Sequence, residues 1–120
     1  MTLRQQQSMF LLLFARLIFW ANEQPEMEVT AGELFRTDEQ HAFNIRKKLT
    51  RAKRSTHQDR LAGDLNLFIK GVYQRNTEAY ELLGKYWNSL HPGCRWGGDF
   101  NENGKMDDKF LDGNHFEFGI

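Results

Sequence analysis

The N-terminal part of the chain contains the apolar segment Met9–Ala21, which reads MFLLLFARLIFWA. Arg16 interrupts this segment, and the segment is shorter than the about 20 apolar residues that cross a bilayer. We therefore expect a core helix from about Leu3 to Asn22 and no stable membrane insertion. An export signal is the alternative, but Ala21-Asn22 is a poor cleavage site, so the chain has no convincing signal peptide. The apolar positions with helical spacing are Phe10, Leu13, Phe14, Leu17, Ile18 and Ala21.

The composition predicts one folded domain without a disulfide framework. Of the 120 residues, 40% are hydrophobic and 13% aromatic, which is too apolar for a disordered chain. The 16 basic and 16 acidic residues give zero net charge, so no whole-molecule attraction to nucleic acid is expected. The single cysteine, Cys94, fits a reducing compartment and is expected to pack as a small core residue rather than to act as a nucleophile. A bound metal would stabilise so small a fold.

A short strand and a second helix are expected after the first helix. Met27–Arg36 has the extended character of a strand. Thr37 lies three residues before Gln40, which is the spacing of a capping box, and starts a helix that ends near Leu49. We expect His41 on the surface of this helix, because its apolar stripe would be Ala42, Ile45 and Leu49.

A basic run begins in the second helix and continues after it. A solvated helix face and loop is the ordinary interpretation of such a run. Attraction to an anionic polymer is the functional alternative, but without interleaved aromatic residues we expect no nucleic-acid partner. The run consists of Arg46, Lys47, Lys48, Arg51, Lys53 and Arg54.

The remaining elements complete an α+β pattern. Leu61–Lys70 alternates like a strand and places Asp64 on the face opposite its main apolar stripe. A third helix is expected from Asn76 or Thr77 to Leu90, followed by a Pro- and Gly-rich loop over His91–Gly98. The last strand, His115–Phe118, places His115 and Glu117 on one face. The buried side of the third helix would be Tyr80, Leu83, Trp87 and Leu90.

Two histidines and one aspartate could hold a catalytic metal. Catalytic zinc is bound by three protein side chains, drawn from His, carboxylate and Cys, and keeps a fourth position open. His57, Asp64 and His115 can supply that set. The gap of seven residues requires the chain to turn over Gln58–Arg60, since both side chains would otherwise lie on opposite faces of one strand. Spacing alone is weak evidence, because many sequences contain such a set.

The residues around these ligands resemble a known family. The motifs are Ser55-x-His57, Ala62-Gly63-Asp64 and Asp112-x-x-His115-Phe116. They resemble the zinc D-alanyl-D-alanine carboxypeptidase and L-alanyl-D-glutamate endopeptidase family of peptidoglycan hydrolases. The likeness to its short phage-encoded members covers nearly the whole chain and extends to Leu3-Arg4-Gln5, Gly32–Thr37, Tyr86-Trp87 and Cys94–Gly98.

The resemblance implies roles for individual residues. His57, Asp64 and His115 would bind zinc, and Asp112 would be the catalytic acid and base. Arg36 would be catalytic and substrate-binding, because a guanidinium suits the developing oxyanion or a carboxylate-bearing peptide. Ser55 and Gln40 would line the same substrate pocket. The ordinary alternative is that Asp112 starts an Asx turn and that Asp64 caps a turn or pairs with an arginine.

The segment from Asp99 to Leu111 departs from the compact family members. It begins like a calcium loop, with oxygen ligands at alternate positions, Gly104 at the sixth and an apolar residue at the eighth. The twelfth position is Phe110, where a glutamate is expected, so an Asx-rich surface turn is the alternative. The calcium ligands would be Asp99, Asn101, Asn103 and Asp107.

We expect an α+β fold of the Hedgehog/DD-peptidase-like kind, with three helices on a small, mainly antiparallel sheet that carries zinc. Residues 1–120 would form a single peptidase domain without a separate wall-binding domain. The expected function is that of a monomeric phage endolysin, held in the host cytoplasm until lysis, which cleaves the L-Ala–D-Glu bond of peptidoglycan. The alternatives are a D-Ala–D-Ala carboxypeptidase and a non-catalytic, metal-stabilised binding module.

Overall fold

A computed structural model describes residues 1–50, 53–99 and 112–120 of the chain. It has the expected α+β fold, with three α-helices and a small antiparallel sheet. None of the described helices combines the length and apolar content that a membrane-spanning helix needs. The elements are α1 (Leu3–Glu23), β1 (Met27–Ala31), α2 (Asp38–Arg46), β2 (Ala62–Ile69), β3 (Val72–Tyr73), α3 (Glu81–Leu90), β4 (Cys94–Trp96) and β5 (His115–Phe118), with 3₁₀ turns at Thr56–Asp59 and Thr77–Tyr80.

Strand β2 is the centre of the sheet. The strand order is β1-β2-β5-β4, and every pairing is antiparallel. The short β3 pairs with the end of β2 at Phe68 and Ile69. Leu65 and Leu67 of β2 are buried, whereas Asp64 and Asn66 are half-buried on the other face. The predicted alternation of this strand is therefore confirmed.

Helices α1 and α3 cover the apolar face of the sheet. The buried residues of α1 have the predicted spacing, and a Thr2 capping box starts the helix. Phe14 meets the edge of Trp87 in α3, and Trp87 in turn meets the edge of Phe116 in β5. These contacts join both helices to the strand that carries His115. The buried residues of α1 are Phe10, Leu13, Phe14, Leu17 and Ala21.

The apolar stripe predicted for the second helix is wrong. Ile45 and Leu49 are 45% and 71% exposed, and Ala42 is exposed as well. Helix α2 instead turns His41 inward, where its ring contacts Arg36. The helix ends at Arg46, before Leu49, and Lys48 has the left-handed φ of 58°. Sequence periodicity could not show that a polar contact, rather than an apolar stripe, anchors this helix.

Other element boundaries also differ from the prediction. The third helix begins at Glu81 rather than at Asn76 or Thr77, because Thr77–Tyr80 forms a 3₁₀ turn. The first strand ends at Ala31 rather than Arg36. Gly32 and Glu33 still share backbone hydrogen bonds with Asp64, and beyond them the Arg36 amide donates to the carbonyl of His57 instead. The expected loop over His91–Gly98 contains strand β4, which pairs with β5. Three residues are too few to show a periodicity of their own. Cys94 is buried in this strand, as expected for a small core residue.

Gly63 allows α1 to lie close against β2. A Cβ atom at this position would lie 2.5 Å from the ring of Phe14, which is too close for van der Waals contact. We expect Gly63→Ala to lower the free energy of unfolding by about 1–3 kcal/mol, because the added methyl overpacks the core. Urea denaturation measures this change. The second substitution Phe14→Leu should restore part of the loss, and an unchanged stability of Gly63→Ala would contradict the close packing.

Candidate metal centre

The pairing of β2 with β5 places Asp64 directly opposite His115. Phe116 and Phe118 are completely buried on the face of β5 that contacts the helices. Because side chains alternate along a strand, His115 and Glu117 must lie on the opposite face. The buried phenylalanines therefore orient His115 toward Asp64.

The chain turn before β2 brings His57 to the same place. Ser55 caps the 3₁₀ turn Thr56–Asp59, and its hydroxyl accepts a hydrogen bond from the amide of His57 at 3.1 Å. Arg60 then takes a left-handed conformation, with φ of 58°, and reverses the chain into β2. The predicted turn over Gln58–Arg60 is confirmed. Because of this turn, His57 and Asp64 lie on the same side of the sheet, whereas in one straight strand they would lie on opposite faces.

The three predicted ligands form a tight cluster. His57 Nε2 lies 3.1 Å and His115 Nδ1 3.2 Å from Asp64 Oδ1, and the two imidazole nitrogens are 3.2 Å apart. Donors in a tetrahedral zinc site are separated by about 3.3 Å when each is about 2.05 Å from the metal. The three side chains can therefore hold a metal ion, and their nitrogen and oxygen donors fit zinc.

Both imidazoles are oriented by their second ring nitrogen. His57 Nδ1 lies 3.0 Å from the carbonyl oxygen of Leu34, and His115 Nε2 lies 2.8 Å from Glu117 Oε1. These oxygens can only accept, so each of these ring nitrogens donates and the other nitrogen faces the cluster. Such outer partners fix the tautomer of metal-binding histidines. Sequence reasoning missed this role of Glu117, although its i+2 spacing from His115 placed both on one face.

The cluster is electrostatically coupled. Burial opposes the charged form of His115, but hydrogen bonds to Asp64 and Glu117 outweigh it and raise the pKa of His115 to about 9. Burial raises the pKa of Asp64, but hydrogen bonds from His115 and His57 hold it below its ordinary value. Likewise, burial is outweighed at Glu117, whose pKa is lowered by His115 and Arg95. The carboxylates of this cluster therefore favour a bound cation.

Asp112 lies at the edge of the cluster. Its Oδ2 is 3.9 Å from His115 Nδ1, and its side chain is 56% exposed. Two backbone hydrogen bonds hold the turn that carries Asp112. The Asp112 amide donates to the carbonyl of Gly97, and the His115 amide donates to the carbonyl of Asp112. Partial desolvation, assisted by the charge of Asp64, raises the pKa of the Asp112 carboxyl above its ordinary value.

Arg36 is held by two partners that sequence reasoning missed. Its Nε and Nη2 donate to Glu33 Oε1 at 2.9 and 2.6 Å, and its Nη1 donates to His41 Nδ1 at 3.0 Å. Glu33 Oε1 is also 3.6 Å from His57 Nε2. The expectation that His41 is a surface residue is wrong, since its exposure is 2%. A single sequence gives no signal for this network, because it forms between a loop and a helix.

These side chains border one cleft of about 380 Å³. Ser55 contributes to its lining together with Arg36, Asp112 and the three candidate ligands. Gln40 lies elsewhere, on the exposed side of α2, where its amide donates to Asn44 Oδ1 at 2.8 Å. The structure therefore brings all the predicted zinc and catalytic residues together, whereas Gln40 stands apart from them.

The predicted calcium ligands fall mainly outside the described residues. Asp99 is described and is 5% exposed. Asn101, Asn103 and Asp107 lie outside the described residues. The calcium site stays a prediction.

The fold is similar to that of a known peptidase. No protein-family model and no curated protein sequence matches the chain. Among solved structures, the L-Ala D-Glu endopeptidase ChiX of Serratia marcescens matches with a TM-score of 0.70 and 16% sequence identity. The match covers 92% of this chain and 77% of that chain. The chain therefore has a fold related to that of a peptidase.

Removing a candidate ligand should remove the metal. We expect the purified protein to bind a stoichiometric amount of zinc, and His57→Gln to lose it because only two donors remain. Elemental analysis after dialysis against zinc and then metal-free buffer measures this. His91→Gln is the matched control, since His91 accepts a hydrogen bond from Gly93 and lies outside the cluster. Equal zinc retention by both variants would contradict the site.

Glu117 should contribute to metal affinity without contacting the metal. We expect Glu117→Gln to weaken zinc binding by about 10- to 100-fold, because the His115 ring loses its charged partner. Competition with a chromophoric chelator gives the affinity. Arg95→Gln is the control, because it removes the 3.2 Å ion pair of Glu117 with Arg95 and leaves the bond to His115 in place. If both variants lose a comparable amount of zinc affinity, the effect comes from the ion pair between Glu117 and Arg95 and not from the bond between Glu117 and His115.

Proposed function

We propose that this protein is a zinc-dependent peptidase of peptidoglycan that cleaves the L-Ala–D-Glu bond of the stem peptide. The observation that carries the proposal is the convergence of His57, Asp64 and His115 beside the carboxyl of Asp112. A fold shared with an L-Ala D-Glu endopeptidase gives independent support. An Asx turn at Asp112 or an ion pair of Asp64 would not require these two residues to meet His57 and His115 in one open cleft.

The donor set supports zinc as the metal. Two imidazole nitrogens and one carboxylate oxygen form a three-ligand set of the kind found in catalytic zinc sites. Zinc bound there would act as a Lewis acid that polarises the scissile carbonyl and acidifies the attacking water. His57 and His115 would be held in the binding tautomer by Leu34 and Glu117.

Asp112 is suited to move the proton. Its carboxyl lies at the open side of the cluster, so a water molecule and a peptide can reach it. It would accept the proton of the attacking water and pass it to the leaving amine. The raised pKa of Asp112 favours this exchange, because a more basic carboxylate takes the proton of the attacking water more readily and keeps it until the amine leaves.

Arg36 would stabilise negative charge on the substrate. Glu33 and His41 hold its guanidinium in one orientation, and Arg36 lines the cleft. A fixed guanidinium suits a developing oxyanion or a substrate carboxylate. Ser55 lines the same cleft, but its hydroxyl already accepts from the His57 amide, which favours a positioning role. Gln40 is not included in this substrate site.

The biological role proposed for the domain is that of a phage endolysin. It would be held in the host cytoplasm and released to the cell wall at lysis. The resemblance of the motifs around His57, Asp64 and His115 to short phage-encoded peptidases supports this role.

Replacing Asp112 should separate catalysis from metal binding. We expect Asp112→Asn to lower the rate of wall-peptide cleavage by about 10²–10⁴-fold, because the acid and base is lost, while zinc content and fold are retained. Turbidity loss of purified cell wall gives the rate. Asp59→Asn is the matched control, since Asp59 pairs with Arg54 outside the metal cluster.

Mass analysis of the released fragments identifies the bond. New N-termini at D-Glu support the proposal, whereas release of free D-Ala assigns a carboxypeptidase. If zinc-loaded wild-type protein binds cell wall without producing new termini, the protein is a binding module and the proposed function is wrong.

A further inference from the structure

A second cavity borders the cleft at Asp112. It has a volume of about 210 Å³, and Asp112 lines both spaces. Most of its lining is polar, and its potential hydrogen-bond donors include Arg75, Thr77 and Asn114. None of these three residues belongs to the candidate metal centre. The cavity is therefore an adjoining space beside the proposed proton donor.

The donors of this cavity are available to a ligand. Arg75 is exposed, its guanidinium lies 5.9 Å from the centre of the Tyr73 ring, and it pairs with no carboxylate in the described part of the chain. The side chains of Thr77 and Asn114 are in half-buried residues, and within residues 1–50, 53–99 and 112–120 they make no hydrogen bond. One cation and two neutral polar groups thus face the same small space.

The wall between the cleft and the cavity is firmly held. Trp96 Nε1 donates to the carbonyl of Gly113 at 2.7 Å, and the amide of Leu65 donates to the carbonyl of Asn114 at 2.9 Å. A Cβ atom on Gly113 would lie 2.7 Å from the Cα of Thr77. These contacts hold Asn114 close to Thr77, so the cavity is preformed rather than created by a ligand.

The chemistry at Asp112 specifies which part of a substrate would enter this cavity. If Asp112 gives its proton to the leaving amine, that amine lies beside its carboxyl, and the atoms bonded to it extend away from the metal centre. In the L-Ala–D-Glu bond the leaving amine belongs to a D-glutamate whose α-carboxylate is free, because its chain continues through the γ-carboxyl. In a terminal D-Ala–D-Ala bond the leaving D-alanine also has a free α-carboxylate.

We propose that Arg75, Thr77 and Asn114 form a subsite for the free α-carboxylate of the residue that leaves from the scissile bond. This inference rests on the proposed function, and it names the group that the leaving side of the substrate must carry. A guanidinium and neutral donors bind a carboxylate through charge-assisted hydrogen bonds. The subsite selects peptides whose leaving residue is an α-acid over peptides in which it is an α-amide.

Two synthetic substrates test this selection. N-acetyl-L-Ala-γ-D-Glu-L-Lys carries the free α-carboxylate, and its D-isoglutamine analogue carries a carboxamide there. With zinc-loaded wild-type protein we expect kcat/KM to be about tenfold higher for the acid, the size of one charge-assisted hydrogen bond. Arg75→Gln should lose that advantage, because it lowers kcat/KM for the acid much more than for the amide. Arg16→Gln, on an exposed position of α1, is the charge-matched control and should keep the advantage.

A binding experiment separates failure of the subsite from failure of the proposed reaction. The dipeptide γ-D-Glu-L-Lys is titrated into zinc-loaded protein, and the amide signals of Gly113 and Asn114 are followed by NMR. Shifts that Arg75→Gln weakens support the subsite even if neither tripeptide is cleaved, in which case the proposed function alone fails. No shift at these residues, or an equal effect of Arg75→Gln on the acid and amide substrates, would overturn the subsite.

Discussion

The antiparallel pairing of β2 with β5 is the constraint on which the candidate site depends. Its register places Asp64 opposite His115, and a slip of β5 by one residue would turn His115 to the wrong face. The completely buried Phe116 and Phe118 resist such a slip, because exposing a phenylalanine costs about 1.5–3 kcal/mol. The apolar layer between sheet and helices thus orients the polar face that can bind a metal.

The polar face consists of groups that are each held by a second partner. Leu34 and Glu117 orient the two imidazoles, and Glu33 orients Arg36. Asp112 differs, since its side chain is largely exposed while its backbone is held between β4 and β5. The centre therefore combines rigid donors for a metal with a carboxyl that solvent and substrate can reach. The carboxyl of Asp112 thus stays accessible beside a cluster that can bind a metal.

Elements with a long or strict periodicity could be predicted from the sequence. The first helix was placed to within one residue of its end, and β5 was placed in full, because their apolar positions repeat at 3.6 and 2 residues. Short elements without such a repeat could not be predicted from the sequence. Strand β4 is defined by its pairing with β5, and α2 is anchored by the contact of His41 with Arg36.

The sequence by itself determined which side chains could take part in metal chemistry, because only certain residue types donate to zinc, and it determined the faces on which Asp64, His115 and Glu117 lie. Only the tertiary structure decided that His57 joins them, since that depends on the left-handed turn at Arg60 and on the carbonyl of Leu34. The physical reason is that periodicity is local, whereas distances between segments are set by packing and by backbone hydrogen bonds that no local pattern encodes.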